Sequence, residues 1–156
     1  MAKANLLEVF PDTCRGCRLC EMACSFRHEW ECSSAKSRIR ILKDNEWAFD
    51  YPILCIQCAE APCVDACPTT ALSRDEATGV VELEAEACNG CELCITACPI
   101  GALFLDKDSN IIAKCDHCGG DPECVKWCPH GTVILEEADL DSAARKAYMS
   151  KVAQYI

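Results

Sequence analysis

Apolar and polar residues change places every second position in several short stretches of this chain. Ser37 to Leu42 alternates, Asp44-Asn45 offers a turn, and Glu46 to Ile53 follows with an aromatic-rich run. Ala71–Arg74 and Val80–Leu83 flank Thr78-Gly79, and Ala102–Leu105 and Ile111–Lys114 flank Asp108-Ser109-Asn110. Each pair reads as a short β-hairpin, because period-two runs on either side of a turn-forming cluster pair most simply across it. Val133–Leu135 is a further strand. Helical spacing appears at the C-terminus, where Leu140, Ala144, Ala147, Tyr148, Val152 and Tyr155 share one stripe and Asp139 or Asp141 serves as N-cap. The expected class is α+β, built from short hairpins and short helices.

Composition changes that picture. Hydrophobic residues make up 51% of 156, but that figure includes 17 cysteines. Without them it falls to roughly 40%, below the globular average. Something besides apolar burial must help hold the chain together. The net charge of −10 argues against nucleic acid, whose phosphates call for clustered Lys and Arg. No apolar run approaches the roughly 18 residues of a membrane span. Met1 to Phe10 lacks the basic start, apolar core and small-residue cleavage site of a secretory signal. The expectation is a cytoplasmic protein with reduced thiols. An odd cysteine count also fits a disulfide framework poorly.

The cysteine spacing points to metal. Group one is Cys14, Cys17, Cys20, Cys24; group two is Cys55, Cys58, Cys63, Cys67; group three is Cys88, Cys91, Cys94, Cys98; group four is Cys115, Cys118, Cys124, Cys128. Only Cys32 is left over. Group three, with Pro99, matches the bacterial ferredoxin run C-x2-C-x2-C-x3-C-P at every position. Three close cysteines can wrap three corners of a [4Fe–4S] cube. The fourth, one helical turn on, points away and reaches a second cube. Pro68, Pro99 and Pro129 end the short helices by removing a donor. Gly16 and Gly90 sit where the backbone must bend and a Cβ would obstruct the cluster. Zinc is the main alternative, chiefly at group four with its wider gap, and disulfides are the other.

The groups record a duplication. Cys14, Gly16, Cys17, Leu19, Cys20, Ala23 and Cys24 recur 74 residues later, and Glu8 aligns with Glu82 in the strands before each loop. Groups two and four match at an offset of 60, then 61, so roughly 5–72 and 80–135 are two copies of one unit.

These motifs resemble the four-cluster iron–sulfur subunits of molybdenum- and tungsten-pterin oxidoreductases and of related hydrogenases and carbon monoxide dehydrogenases. The run from Cys14 through Arg15, Gly16, Cys17, Arg18, Leu19, Cys20 and on to His28 resembles the small subunit of bacterial tungsten aldehyde oxidoreductases. The resemblance implies that groups one and four exchange their last ligands, as do two and three. One cluster then takes Cys14, Cys17, Cys20 and Cys128, and its neighbour Cys115, Cys118, Cys124 and Cys24. The inner pair takes Cys55, Cys58, Cys63 and Cys98, then Cys88, Cys91, Cys94 and Cys67. Spacing alone leaves other pairings open. The result is two nested ferredoxin-like units, 1–50 with 110–136 outside and 51–109 inside, followed by a C-terminal helix over 137–156. Group one departs from the family pattern in having Ser25 after its fourth cysteine, which is expected to alter loop geometry and not ligation.

With all sixteen positions cysteine, no iron corner is left open for substrate, and no nucleophile–base constellation or phosphate loop appears. The chain reads as an electron-transfer subunit and not an enzyme by itself. A globule of this length has a radius of gyration of about 15 Å, which puts four cubes on the order of 10 Å apart. Its partners would be a large pterin-tungsten or -molybdenum subunit and a second redox partner such as a flavin subunit or ferredoxin. The alternatives are a free-standing polyferredoxin, a subunit of a hydrogenase, formate dehydrogenase or carbon monoxide dehydrogenase, and an iron or redox sensor. Cys32 reads as a spare thiol packed near group one. His117 and Trp127 read as packing residues beside the ligands, with a hydrogen bond to a cluster as the sharper role. His28 and His130 carry no assigned role. The C-terminal helix reads as a lid on the core or as a docking element.

Charge is distributed unevenly. Residues 14–43 carry seven basic and three acidic side chains, and residues 60–92 carry one basic and eight acidic. Ends of opposite sign steer two different partners, and they also permit head-to-tail association between copies. Such self-association is expected to weaken as salt screens it. Light scattering of the isolated protein across a salt series checks this, and a single mass at every salt and protein concentration rules it out.

Overall fold

The structure is a computed structural model describing residues 3–44 and 49–155. Its strands form four antiparallel two-stranded sheets among the described residues. The expected hairpins are present as β2 (Ile39–Asp44) with β3 (Phe49–Leu54), β4 (Leu72–Arg74) with β5 (Val81–Leu83), and β6 (Phe104–Asp106) with β7 (Ile111–Ala113). The expected turn at Asp44-Asn45 runs into 45–48, which lie outside the described residues. The fourth sheet joins the two ends of the chain. β1 (Lys3–Val9) pairs with β8 (Val133–Asp139), in register from Lys3 opposite Asp139 to Val9 opposite Val133.

Four helices carry cysteines: α1 (Leu19–Glu29), α2 (Pro62–Asp65), α3 (Leu93–Ala97) and α4 (Glu123–Trp127). In α2, α3 and α4 the fourth cysteine of the group falls just past the helix and a proline follows. Proline clashes with the preceding turn, so these helices stop. Group one has Ser25 there, and α1 runs on to Glu29. The Ser25 hydroxyl donates to the Met22 carbonyl at 3.1 Å and accepts the Ser33 N–H at 3.0 Å, which holds the chain beyond the helix. Helix α1 packs on α4 and α2 packs on α3.

Two apolar clusters fill the interior. One gathers Leu7, Ile39, Tyr51, Leu54, Ile56, Ile100 and Val133, and the other Leu72, Val81, Leu103 and Ile112. Buried cysteines belong to both: Cys20, Cys24, Cys55 and Cys124 in the first, Cys63 and Cys94 in the second. Sulfur is therefore part of the lining of both clusters, alongside the hydrocarbon.

The C-terminal helix differs from expectation. Residues 137–139 extend strand β8, and α5 spans Ala143–Val152. Its cap is Ser142, whose hydroxyl accepts the Arg145 N–H at 3.4 Å, and neither Asp139 nor Asp141 fills that place. The buried stripe is Arg145, Tyr148 and Val152, while Ala144 and Ala147 face out. An ion pair sets this rotation. Arg145 Nη1 lies 2.9 Å from Glu8 Oε1 and donates to the Leu7 carbonyl at 3.2 Å, with both charged side chains buried. Tyr148 donates from its hydroxyl to the Pro52 carbonyl at 2.9 Å, tying α5 to β3.

A buried ion pair contributes little net stability when complete, but losing one partner strands a charge in the interior. Glu8→Gln is therefore expected to cost about 3 kcal/mol. The double variant Glu8→Gln/Arg145→Met should recover most of it. Denaturant unfolding of the iron-loaded protein measures both, and an unchanged midpoint in Glu8→Gln would show that the pair is not coupled to folding.

Candidate metal centres

The cysteine loops share a backbone device. Gly16 and Arg18 in group one, and Gly90 and Glu92 in group three, all have φ between 61° and 68° or at 60°. Group two has Gln57 and Ala61 in the left-handed region, and group four has His117, Cys118, Gly119 and Gly120. Left-handed residues coil a loop into a concave nest of N–H groups. For residues with a Cβ each costs of order 1 kcal/mol, and such strain gathers at functional sites. The duplication therefore extends from residue identity to backbone conformation. A Cβ at Gly16 would meet the Asp50 carboxylate, and one at Gly90 would lie 2.7 Å from the Asn110 carbonyl. The obstruction comes from neighbouring hairpins, in addition to any bound group.

Sulfurs from different groups converge. Cys14, Cys17, Cys20 and Cys128 line one cavity, with Arg15, Arg18 and His130 at its wall. Cys55, Cys58, Cys63 and Cys98 line another, with Gln57 and Lys114. Cys24 lies close enough to Cys118 and Cys124 to raise both thiols, and Cys63, Cys67 and Cys91 act likewise on Cys94. Cys88 packs on the smaller apolar cluster alongside Cys67 and Cys98. Burial, followed by the Glu21 carboxylate and then the neighbouring cysteines, pushes the Cys20 thiol up to about 12. Cys58 and Cys94 rise to about 11, again chiefly through burial. Burial, with Cys55 and Cys124 adding to it, pushes Cys115 well above its ordinary value.

The fourth cysteine of each group receives a donor. Cys98 Sγ accepts the Ala102 N–H at 3.4 Å, and Cys128 Sγ accepts the Thr132 N–H at 3.3 Å. Cys67 Sγ lies 3.6 Å from the Thr69 hydroxyl. Because α1 continues past Cys24, its donor comes from the start of β2, where the Arg38 N–H reaches Cys24 Sγ at 3.3 Å. For Cys67 and Cys128 burial acts upward, but these donors outweigh it and hold both thiols below their ordinary value.

The donor set discriminates between metals. A tetrahedral zinc ion holds its sulfurs about 3.8 Å apart, given a Zn–S distance near 2.3 Å. Among the described residues, the one group of three donor atoms all within 4.8 Å is His28, Asp116 and Cys118. There the Asp116 carboxylate is already engaged: the Cys118 N–H donates to it at 2.9 Å and Arg38 Nη1 lies at 3.0 Å. The cysteine sets are spread more widely than one ion requires. All-cysteine donors, nested loops and N–H groups aimed at sulfur suit a [4Fe–4S] cube with its separated iron corners.

Several side chains differ from the sequence reading. Cys32 is exposed, in an apolar groove with Leu19, Met22, Phe26 and Trp30, and is not packed. Trp127 is 57% exposed and donates from Nε1 to Glu123 at 3.2 Å, because α4 turns that face outward. His117 is buried with neither ring nitrogen partnered among the described residues, and burial pushes it down to about 4, so the imidazole is neutral. His28 Nε2 lies 3.7 Å from Cys118 Sγ, within reach of a weak hydrogen bond to that sulfur. Sequence patterns assign no role to Lys114, Gln57, Arg38 or Asp116. Lys114 had one signal, a lone charge closing the apolar run Ile111-Ile112-Ala113 before Cys115.

A 4Fe-4S dicluster domain family matches residues 45–138, and a 4Fe-4S binding domain family matches residues 11–27. The chain is 43% identical over 114 residues to the polyferredoxin-like subunit of the aliphatic sulfonate oxidoreductase of Pyrococcus furiosus, covering 73% of this chain and 65% of that protein. It is 40% identical over 115 residues to the beta subunit of the NADH-dependent phenylglyoxylate dehydrogenase of Aromatoleum evansii, covering 72% of this chain but 26% of that one. Among solved structures it resembles a chain of the BamBC active-site complex of benzoyl coenzyme A reductase with benzoyl-CoA. That match has a TM-score of 0.53 and 25% identity, and covers 99% of this chain and 92% of the other. Cysteine groups, loop conformation and these matches agree: the chain belongs to the 4Fe-4S dicluster-domain family of ferredoxin-like iron–sulfur subunits.

Proposed function

We propose that this chain carries four [4Fe–4S] clusters and relays electrons between a catalytic oxidoreductase subunit and a second redox partner. The observation that carries the reading is the meeting of three sulfurs from one group with the last sulfur of another, as in the cavity of Cys14, Cys17, Cys20 and Cys128. The corresponding sets are Cys115, Cys118, Cys124 with Cys24; Cys55, Cys58, Cys63 with Cys98; and Cys88, Cys91, Cys94 with Cys67. The packing of α1 on α4 and α2 on α3 supports this pairing, and with it the division into an outer unit (1–50 with 110–136) and an inner one (51–109).

Bound clusters supply one-electron storage, and the protein supplies everything else. Its hairpins hold the sulfur sets at fixed separation. The N–H groups of Arg38, Ala102 and Thr132 donate to ligand sulfurs and so favour the more negative, reduced state. The catalytic partner is read as a tungsten- or molybdenum-pterin aldehyde oxidoreductase, supported by the resemblance of the Cys14–His28 run. The names of the relatives, subunits of other oxidoreductases, support the broader role. A flavin subunit or ferredoxin would be the second partner, and reduced thiol ligands favour a cytoplasmic setting. Among the described residues no helix is long and apolar enough to cross a membrane.

Anaerobically purified protein is expected to contain about sixteen iron and sixteen acid-labile sulfide per chain, four of each per cube. About twelve iron with one zinc would remove one cube from the scheme. Arg15 and Arg18 are exposed at the wall of the Cys14 cavity, where positive charge eases reduction. Arg15→Ala/Arg18→Ala should lower the midpoint of that cluster by roughly 20–50 mV at low salt. Redox titration followed by paramagnetic resonance reads this shift, and unmoved midpoints would remove the two arginines from the account.

A further inference from the structure

Lys114 is 4% exposed, at the end of β7. Its ammonium donates to Gln57 Oε1 at 3.1 Å, to the Val81 carbonyl at 2.6 Å and to the Cys115 carbonyl at 3.0 Å. Three donors thus meet three acceptors, and every acceptor is neutral. Among the described residues no carboxylate lies within ion-pairing distance; Asp116, two positions on, is committed to Arg38 and the Cys118 N–H. Taking an ammonium out of water costs several kcal/mol, and hydrogen bonds to neutral groups do not supply the missing counter-charge.

The negative charge nearby is on sulfur. Lys114 lines the cavity of Cys55, Cys58, Cys63 and Cys98, and its backbone continues directly into Cys115. Cys55, Cys98 and Cys115 pack together in one apolar cluster, which places the two sulfur sets side by side at this point. Gln57 completes the seam by donating from Nε2 to the Cys115 carbonyl at 3.1 Å while accepting the Val81 N–H at 2.9 Å. Within each unit, neighbouring sulfur sets are joined by exchanged ligands. Between the units they are joined here.

We infer that Lys114 is a buried cation built into the junction between the two units, where it makes the sulfur sets on either side, Cys55/Cys58/Cys63/Cys98 and Cys115/Cys118/Cys124/Cys24, easier to reduce than the two distal sets. An electron entering at either end is drawn to the middle and passes between units there. Unlike Arg15 and Arg18, this charge lies in the interior, so salt screens it little.

The inference rests on the four-cluster reading. Iron and sulfide analysis of the wild-type protein tests that reading alone, so the two fail separately. Redox titration with paramagnetic resonance compares wild type with Lys114→Gln, which removes the charge and keeps an amide donor, and with Gln57→Glu, which places a carboxylate on the ammonium. Each is expected to make two of the clusters about tenfold harder to reduce, a shift of 59 mV for one electron, leaving the other two unmoved. Lys114→Arg, which keeps the charge, should stay near wild type. Wild-type midpoints in an iron-loaded Lys114→Gln would overturn the proposal. If Lys114→Gln fails to load iron, unchanged midpoints in Gln57→Glu would overturn it. Loss of iron in both, with Lys114→Arg loaded, would assign Lys114 to folding alone and overturn it too.

Discussion

Like-charged sulfurs held inside one small interior repel one another, and everything else in this fold answers that repulsion. Burial, with neighbouring negative charge behind it, pushes Cys20 up to about 12 and Cys58 to about 11, which favours thiols over thiolates there in a metal-free chain. Converting them to ligands requires a multivalent cationic core among them. The apolar clusters are modest and include the same cysteines. Metal ligation and folding are then one process, as in other small metal-dependent domains.

Neutralisation by metal is helped by the backbone. Left-handed loop residues turn N–H groups toward sulfur, and the last cysteine of every group has a donor even where the local pattern breaks. Group one shows how far the arrangement bends. With Ser25 in place of proline the helix gains over a turn relative to its counterparts, and a strand 14 residues on supplies the donor that a tight loop supplies elsewhere. Arg38 thereby joins β2 to Cys24 and, through Asp116, to Cys118 of group four.

Much of this was legible in the chain. Hairpins, the 74-residue repeat and the ligand types follow from period and spacing, because turn residues and cysteine intervals are local constraints. What escaped was decided by pairs distant in sequence. Glu8 and Arg145 are 137 residues apart, and only their contact explains why Arg145 and not Ala144 or Ala147 faces inward. Ser142 over Asp139 as cap followed from β8 running longer than its apolar residues suggested, through pairing with β1. Cys32 and Trp127 are of residue types that usually pack, yet Cys32, just beyond α1, and Trp127, on the outer face of α4, are both exposed. Lys114 is set apart only by Gln57 and Val81, which lie 57 and 33 residues away in sequence and accept its ammonium.

The joining of β1 to β8 has a consequence for how the protein is made. On the proposed ligand sets, Cys55 to Cys98 leave the ribosome as one continuous stretch, and both inner cubes can be inserted once Cys98 is free. Cys14, Cys17 and Cys20 emerge earlier but wait for Cys128, 114 residues after Cys14, and for the strand that follows it. On those sets cluster insertion would run from the inside outward, opposite to the order in which the first cysteines are synthesised. A nascent chain stalled between residues 124 and 128 would leave Cys14, Cys17 and Cys20 without their fourth partner, three thiols open to oxidation in addition to the exposed Cys32.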